Sequence, residues 1–207
     1  MNTLIIDCSN GLKIIVLTDG NVFEYTDPDA KKQSDSLLDK IDQMLNKANL
    51  TINNINNIAV CVGPGSFTGI RVAIATAKGL AIGSSAKVIT FNSFQVVYAG
   101  LTHRNFGVIV EGFGNNYYYY FKKFGKVFKG CASPDKLIVF AKDIPVYSNS
   151  DKVCQNIKEF KVLKAQYNAI LCVQQAIQNQ QFILTNQITP LYLRASQAEL
   201  ERLKNGN

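Results

Sequence analysis

The chain has 207 residues, 47% of them hydrophobic and 18% charged, a composition that supports a buried core and excludes an intrinsically disordered protein. Its net charge is +7, which favours an acidic partner such as RNA, although the lysines are spread along the sequence rather than gathered into one stripe. Five cysteines, Cys8, Cys61, Cys131, Cys154 and Cys172, are odd in number and far apart with no Cys-x-x-Cys pair, so they read as reduced core residues rather than a disulfide framework or a zinc site.

In chain order, Thr3 to Asp7, Leu12 to Thr18 and Val22 to Tyr25 read as three strands of an antiparallel meander, with turns at Ser9-Asn10-Gly11 and Asp19-Gly20-Asn21. The apolar run before Asp7 is too short for a signal peptide or a membrane span, and a cytoplasmic protein is the default expectation. Leu37, Leu38, Ile41, Met44 and Leu45 then recur at helical spacing, and Ser36 with Asp39 resembles a capping box. Ile58 to Val62 is a buried strand that breaks at Gly63-Pro64-Gly65. Ser66 or Thr68 caps the alanine-rich helix that follows, from Thr68 to Ile82. A strand over Lys87 to Thr90 and a helix over Ser93 to Leu101 complete an α/β unit. A second meander follows at Gly107 to Glu111, Tyr117 to Phe124 and Lys126 to Lys129. Asp143 to Asp151 reads as a strand with its exit loop, and helices are expected over Asn168 to Gln180 and Ser196 to Lys204. The expected division is a first domain, 1–101, and a smaller one, 102–207.

The strand-to-helix turn is the most informative segment. A Walker loop needs Gly, four residues, then Gly-Lys-Ser/Thr, and counting from Gly63 or Gly65 puts Thr68 or Ile70 where the second glycine belongs; the dinucleotide fingerprint fails too. Direct phosphate binding at the helix N-terminus and a purely structural turn, with Arg71 pairing with an acid, both stand open, the structural turn being favoured. Gly69, Ala73 and Ala77 fall at every fourth position and form one smooth stripe.

Gly63, Pro64, Gly65, Ser66, Phe67, Thr68, Gly69 and Arg71 together resemble the signature of the TsaB (YeaZ) family, accessory proteins of bacterial threonylcarbamoyladenosine synthesis. Leu4 to Ser9 is similar to that family's opening strand, and Pro190-Leu191-Tyr192-Leu193-Arg194 to its closing Pro-x-Tyr-Leu-Arg. The chain departs from the pattern at Val110 to Asn116, where the family's Asp-Ala-Arg is replaced and Glu111 stands for the acid. It departs again at Gln33-Ser34, where the family has a histidine. The resemblance implies an actin-like ATPase (ribonuclease H-like) fold of two similar α/β domains. It also implies a non-catalytic subunit that pairs with the transferase TsaD, with the ATPase TsaE as a third component and tRNA engaged through the complex. A homodimer in the absence of TsaD is left open.

Catalytic candidates are few. His103 is the single histidine, so it cannot form a two-histidine metal site, and beside Arg104 it reads as exposed in an interdomain loop. Asp7-Cys8-Ser9 lacks the glycine that lets a hairpin backbone approach nucleotide phosphates. Asp7 therefore reads as a polar strand end in preference to a magnesium contact. No catalytic or metal residue and no cofactor of its own is expected, leaving open a nucleotide shared with a partner. Tyr117 to Tyr120 invites base stacking, but strand alternation sends about half of these side chains into the core. The expected partner interface combines Leu37, Leu38, Ile41, Met44 and Leu45 of the first helix with the second helix. On the latter, Gly69, Ile70 and Ala73 are joined by Thr76, Ala77 and Leu80, and a four-helix contact of about 1,600 Å² is the usual size for a specific complex. The alternatives are an actin-fold nucleotide-binding enzyme and a stand-alone tRNA-binding module.

Overall fold

The structure, a computed structural model, describes residues 1–28 and 33–194. β1 (Thr3–Asp7), β2 (Leu12–Leu17) and β3 (Val22–Asp27) form the first meander. β4 (Asn57–Cys61) and β5 (Lys87–Phe91) extend it in parallel from the other edge of β1, in the order β3-β2-β1-β4-β5. The second sheet repeats this plan. β6 (Phe106–Glu111), β7 (Tyr117–Lys123) and β8 (Lys126–Ala132) are its meander, and β9 (Val146–Ser148) and β10 (Val162–Lys164) its parallel strands, giving β8-β7-β6-β9-β10. Two α/β units of one topology, each a ribonuclease H-like half, make the actin-like architecture.

Strand alternation divides the core into three layers. Leu4, Ile6, Ile58 and Val60 point to the outer face of the first sheet, covered by α1 (Gln33–Lys47) and α2 (Phe67–Ile82). Ile5, Ala59, Cys61 and Phe91 point the other way, into a layer shared with Phe106, Val108 and Val110 of β6. α3 (Gln95–Tyr98) and α6 (Ala169–Gln178) fill that middle layer. α4 (Pro134–Ala141) and α5 (Asp151–Asn156) cover the far side of the second sheet, where Ile109, Phe121, Leu137 and Val153 are fully buried. Each such side chain contributes about 1.5–3 kcal/mol.

Several boundaries differ from the sequence reading. α1 begins at Gln33, so Ser36 lies inside the helix instead of capping it. α3 is a single turn, not a helix from Ser93 to Leu101: Asn92 Oδ1 accepts from the amides of Phe94 and Gln95 at its start, and Gly100, at φ 89°, ends it. α4, α5 and β10 were not anticipated. The helix expected over Ser196 to Lys204 lies outside the described residues. A division after Leu101 separates the sheets, yet α6 packs on α3 and β5, Ile183 bridges Val88, and the Leu191 amide donates to Val62 O at 2.8 Å. The chain after β10 thus returns to the first unit.

Candidate functional site

The segment Gly63 to Arg71 enters α2 as a stitched turn. Gly63 has φ 93° and precedes a cis Pro64. Ser93 holds the turn from both ends, its amide donating to Gly63 O at 2.9 Å and its Oγ to Pro64 O at 2.7 Å. Gly65 is required by contact as well as conformation, because a Cβ there would stand 2.2 Å from Ser9 O. The next amide, Ser66 N, donates to that same Ser9 carbonyl at 2.7 Å. Ser66, rather than Thr68, is the cap, accepting from Gly69 N at 3.2 Å.

Above this turn lies a cleft of about 800 Å³ between the two units. One wall is the β1–β2 hairpin with the start of α2; the other is the β6–β7 turn from Glu111 to Phe113 together with Tyr118. The segment Leu191 to Arg194 completes it. Arg71 pairs with aromatic groups, not with an acid as the sequence suggested: its guanidinium sits 3.8 Å from the centre of the Phe67 ring, and its Nε donates to Tyr192 Oη at 2.7 Å. Phe67 and Tyr192 stack at 5.2 Å. Across the cleft, Arg194 lies over Phe113, and Glu111 is ion-paired with Lys152.

Asp7 is 4% exposed. Its Oδ1 accepts from Ser9 N at 2.8 Å and its Oδ2 from Tyr167 Oη at 2.7 Å. Burial, then the Asp7 charge, hold the Tyr167 hydroxyl well above its ordinary range, so it stays protonated as the donor. The actin-like fold implies a magnesium nucleotide between the two hairpins. The residues here do not fit one: both Asp7 oxygens are engaged inside the protein, Asp7 does not line the cleft, and hairpin and helix start bond to each other through Ser9 O and Ser66 N. Tyr167 carried no recognisable signal, being one of nine tyrosines in an irregular stretch.

The partner-facing residues expected from periodicity need correcting. Leu37, Ile41, Met44 and Leu45 are at most 4% exposed, and Gly69, Ile70, Ala73 and Ala77 are buried with them in the outer core layer. That stripe grips the chain's own sheet and α1. Leu38 is 59% exposed, while Thr76 and Leu80 are half-buried. The exposed face of α2 lies on the opposite side, at Arg71, Ala75, Gly79 and Ile82, the last 77% exposed, with half-buried Val72 and Thr76 at its margin.

His103 is exposed in the loop after α3, its Nδ1 3.1 Å from Tyr147 Oη. Cys8, Cys61 and Cys172 are buried, Cys131 and Cys154 half-buried, and all five are free thiols. Among the described residues no three His, Cys, Asp or Glu side chains gather as a metal site, and no helix is long and apolar enough to cross a membrane.

Comparison with known proteins agrees with this architecture. The family model "TsaD: tRNA N6-adenosine threonylcarbamoyltransferase" matches residues 28–181. The tRNA threonylcarbamoyladenosine biosynthesis protein TsaB of Escherichia coli K12 is 27% identical over 106 residues, 51% of this chain and 46% of that protein. Its Bacillus subtilis 168 counterpart is 30% identical over 105 residues, 50% of this chain and 46% of that protein. The chain thus spans about half the length of these curated relatives. The solved structure of YeaZ from Pseudomonas aeruginosa superposes with a TM-score of 0.74 at 17% identity, over 93% of this chain and 99% of that one, which establishes the shared fold. With the motif at Gly63 to Arg71, the doubled sheet and the match over most of its length, the chain belongs to the TsaD family and, within it, to the TsaB (YeaZ) group.

Proposed function

We propose that this chain is a non-catalytic accessory subunit of tRNA N6-threonylcarbamoyladenosine synthesis, working in the cytoplasm. It pairs with a TsaD transferase, orders that partner's active site and helps to seat the tRNA, with TsaE as a third component. The names of its relatives support the pathway. The pairing rests on one observation, the outward face of α2. Ala75 and Gly79 are small and exposed there, uncharged Val72 and Thr76 border them half-buried, and a Cβ added at Gly79 would meet nothing within 4 Å. Leu38 is likewise exposed, on α1, which packs against α2. Small residues let a second helix approach to about 8 Å between axes. The closed turn at Ser9 and Gly65 supports a role without a nucleotide of its own; a nucleotide shared across the paired surface remains compatible with it.

Reconstitution tests the reading. tRNA modification by TsaD, TsaE and the threonylcarbamoyl donor falls to background when this chain is omitted and returns when it is added. Undiminished modification without it would overturn the assignment. Ala75→Arg, on the open face, abolishes co-elution with TsaD in size-exclusion chromatography; an intact complex would displace the interface, and a homodimer lost with the same substitution would place self-association on that surface.

A further inference from the structure

The charge of this molecule is not evenly divided. Residues 1–101 carry eight Lys and Arg and eight Asp and Glu, whereas residues 102–164 carry eleven against five. Nearly all the excess therefore belongs to the second unit. Within it, no acid occurs from Gly112 to Pro134, the stretch that holds β7 and β8.

Register assigns those lysines to a face. Tyr118, Tyr120 and Lys122 of β7 share one side of the sheet, opposite Cys131, Lys129 and Val127 of β8. This is the side that meets the middle core layer, but the layer ends part-way across. Tyr120 is its last member, held by Phe94, Tyr98 and Phe106 at ring distances of 5.3 to 6.1 Å. Beyond it Lys122, Val127 and Lys129 are exposed, and no described acid pairs with either lysine. At the other end, half-buried Tyr118 lines the cleft with Arg194, whose charge also reaches Cys131. A continuous strip therefore runs from the cleft mouth, through two tyrosines fixed by packing, to two unpaired lysines.

We propose that this strip binds a single-stranded stretch of RNA, with Lys122, Lys129 and Arg194 on phosphates and the edges of Tyr118 and Tyr120 against bases. Charge complementarity selects the occupant: a polyanion rewards an acid-free, lysine-bearing sheet face, and aromatic side chains between the cations suit unpaired bases. The rings are already immobilised, so little side-chain entropy is lost on contact. This inference rests on the reading of the chain as part of a tRNA-modifying assembly and names the surface through which it touches the substrate.

The test is fluorescence anisotropy of the full chain with an unmodified tRNA transcript across a salt series. Lys122→Ala/Lys129→Ala lowers affinity about five- to tenfold at low salt and reduces the log–log salt slope by about 1.4, two single-strand phosphate contacts. Tyr118→Leu weakens binding about fivefold with the slope unchanged. Lys158→Ala/Lys161→Ala makes the same charge change near β10, the opposite edge of the sheet, and changes affinity less than twofold. Circular dichroism melts confirm that each variant is folded. Equal losses in the two lysine pairs, or no loss in the first, would overturn the strip. So would a Lys122/Lys129 variant that keeps tRNA affinity but loses co-elution with TsaD, which would make the strip a protein contact. A wild-type chain that binds no tRNA yet remains necessary in the reconstitution overturns the strip and leaves the accessory role standing. Strip-dependent tRNA binding by a chain that the reconstitution does not need supports the strip and removes the role.

Discussion

In the first sheet, β1 and β4 are buried along their whole length between two helical layers, whereas in the second, β8 carries Lys126 to Lys129 in solvent. One topology thus serves two ends. The inner strands of the first unit are apolar on both sides, as parallel strands between helices must be, and its charges balance. The second unit leaves its meander edge open, lysine-rich and aromatic. The difference teaches that a repeated strand order constrains the backbone, while the layer laid on each face decides what the surface does.

Paired substitutions break or sharpen this contrast. The largest effect is on α2, where two alanines two residues apart face opposite ways: Ala73→Arg forces a guanidinium into a fully buried site and costs more than about 4 kcal/mol. Ala75→Arg, in solvent, changes stability by less than about 0.5 kcal/mol in urea denaturation. Glycines make the next comparison. Gly65→Ala drives a methyl into Ser9 O and costs about 2–4 kcal/mol, while Gly125→Ala, at φ 77° with open space around it, costs about 1 kcal/mol.

Alkali acts on both halves. Burial pushes the Cys8 thiol from 9.0 up to about 12 and raises Cys61 and Tyr167 as well. The unfolded chain releases these protons first, so their stability contribution is complete below about pH 9 and is lost as pH rises through the folded values, by about 1.4 kcal/mol per pH unit for each group. Tyr167→Phe costs about 1.5–3 kcal/mol at neutral pH through the lost bond to Asp7, and makes the decline above about pH 10 shallower. Ser66→Ala removes the α2 cap and costs about 1 kcal/mol, read from the same denaturation curves. Smallest is Phe124→Asn at the open hairpin tip, where a residue at φ 50° is 80% exposed: stability stays within about 0.5 kcal/mol, and thermal melts of wild type and variant nearly coincide.

The strands of both meanders were legible because their apolar alternation and Gly or Asn turns are local signals. So was the entry to α2. The direction of that helix's faces was not. Arg71 and Lys78 are its sole charges, so apolar and small residues occur nearly all round it, and periodicity fixes a stripe without saying which stripe the sheet takes. The bulk of Ile70 and Ile74 beside Ala73 and Ala77 was the available hint, since a core needs volume. α4 does carry a start signal, with Ser133 ahead of Pro134 and Asp135; β10, at three residues, is too short for any pattern. Asp7 ends β1, but its partner Tyr167 lies 160 positions away, and only the fold brings them together.

The return of the chain after β10 has a consequence for biogenesis. Ile89, Phe91 and Phe94 are sheltered by Ala169, Cys172 and Val173, so a nascent polypeptide leaving the ribosome carries this apolar surface bare until α6 has been translated. Long-range closure of this kind folds slowly and exposes aggregation-prone intermediates. Expression of the amino-terminal half by itself therefore yields inclusion bodies, and co-expression with the missing carboxy-terminal piece restores it to the supernatant.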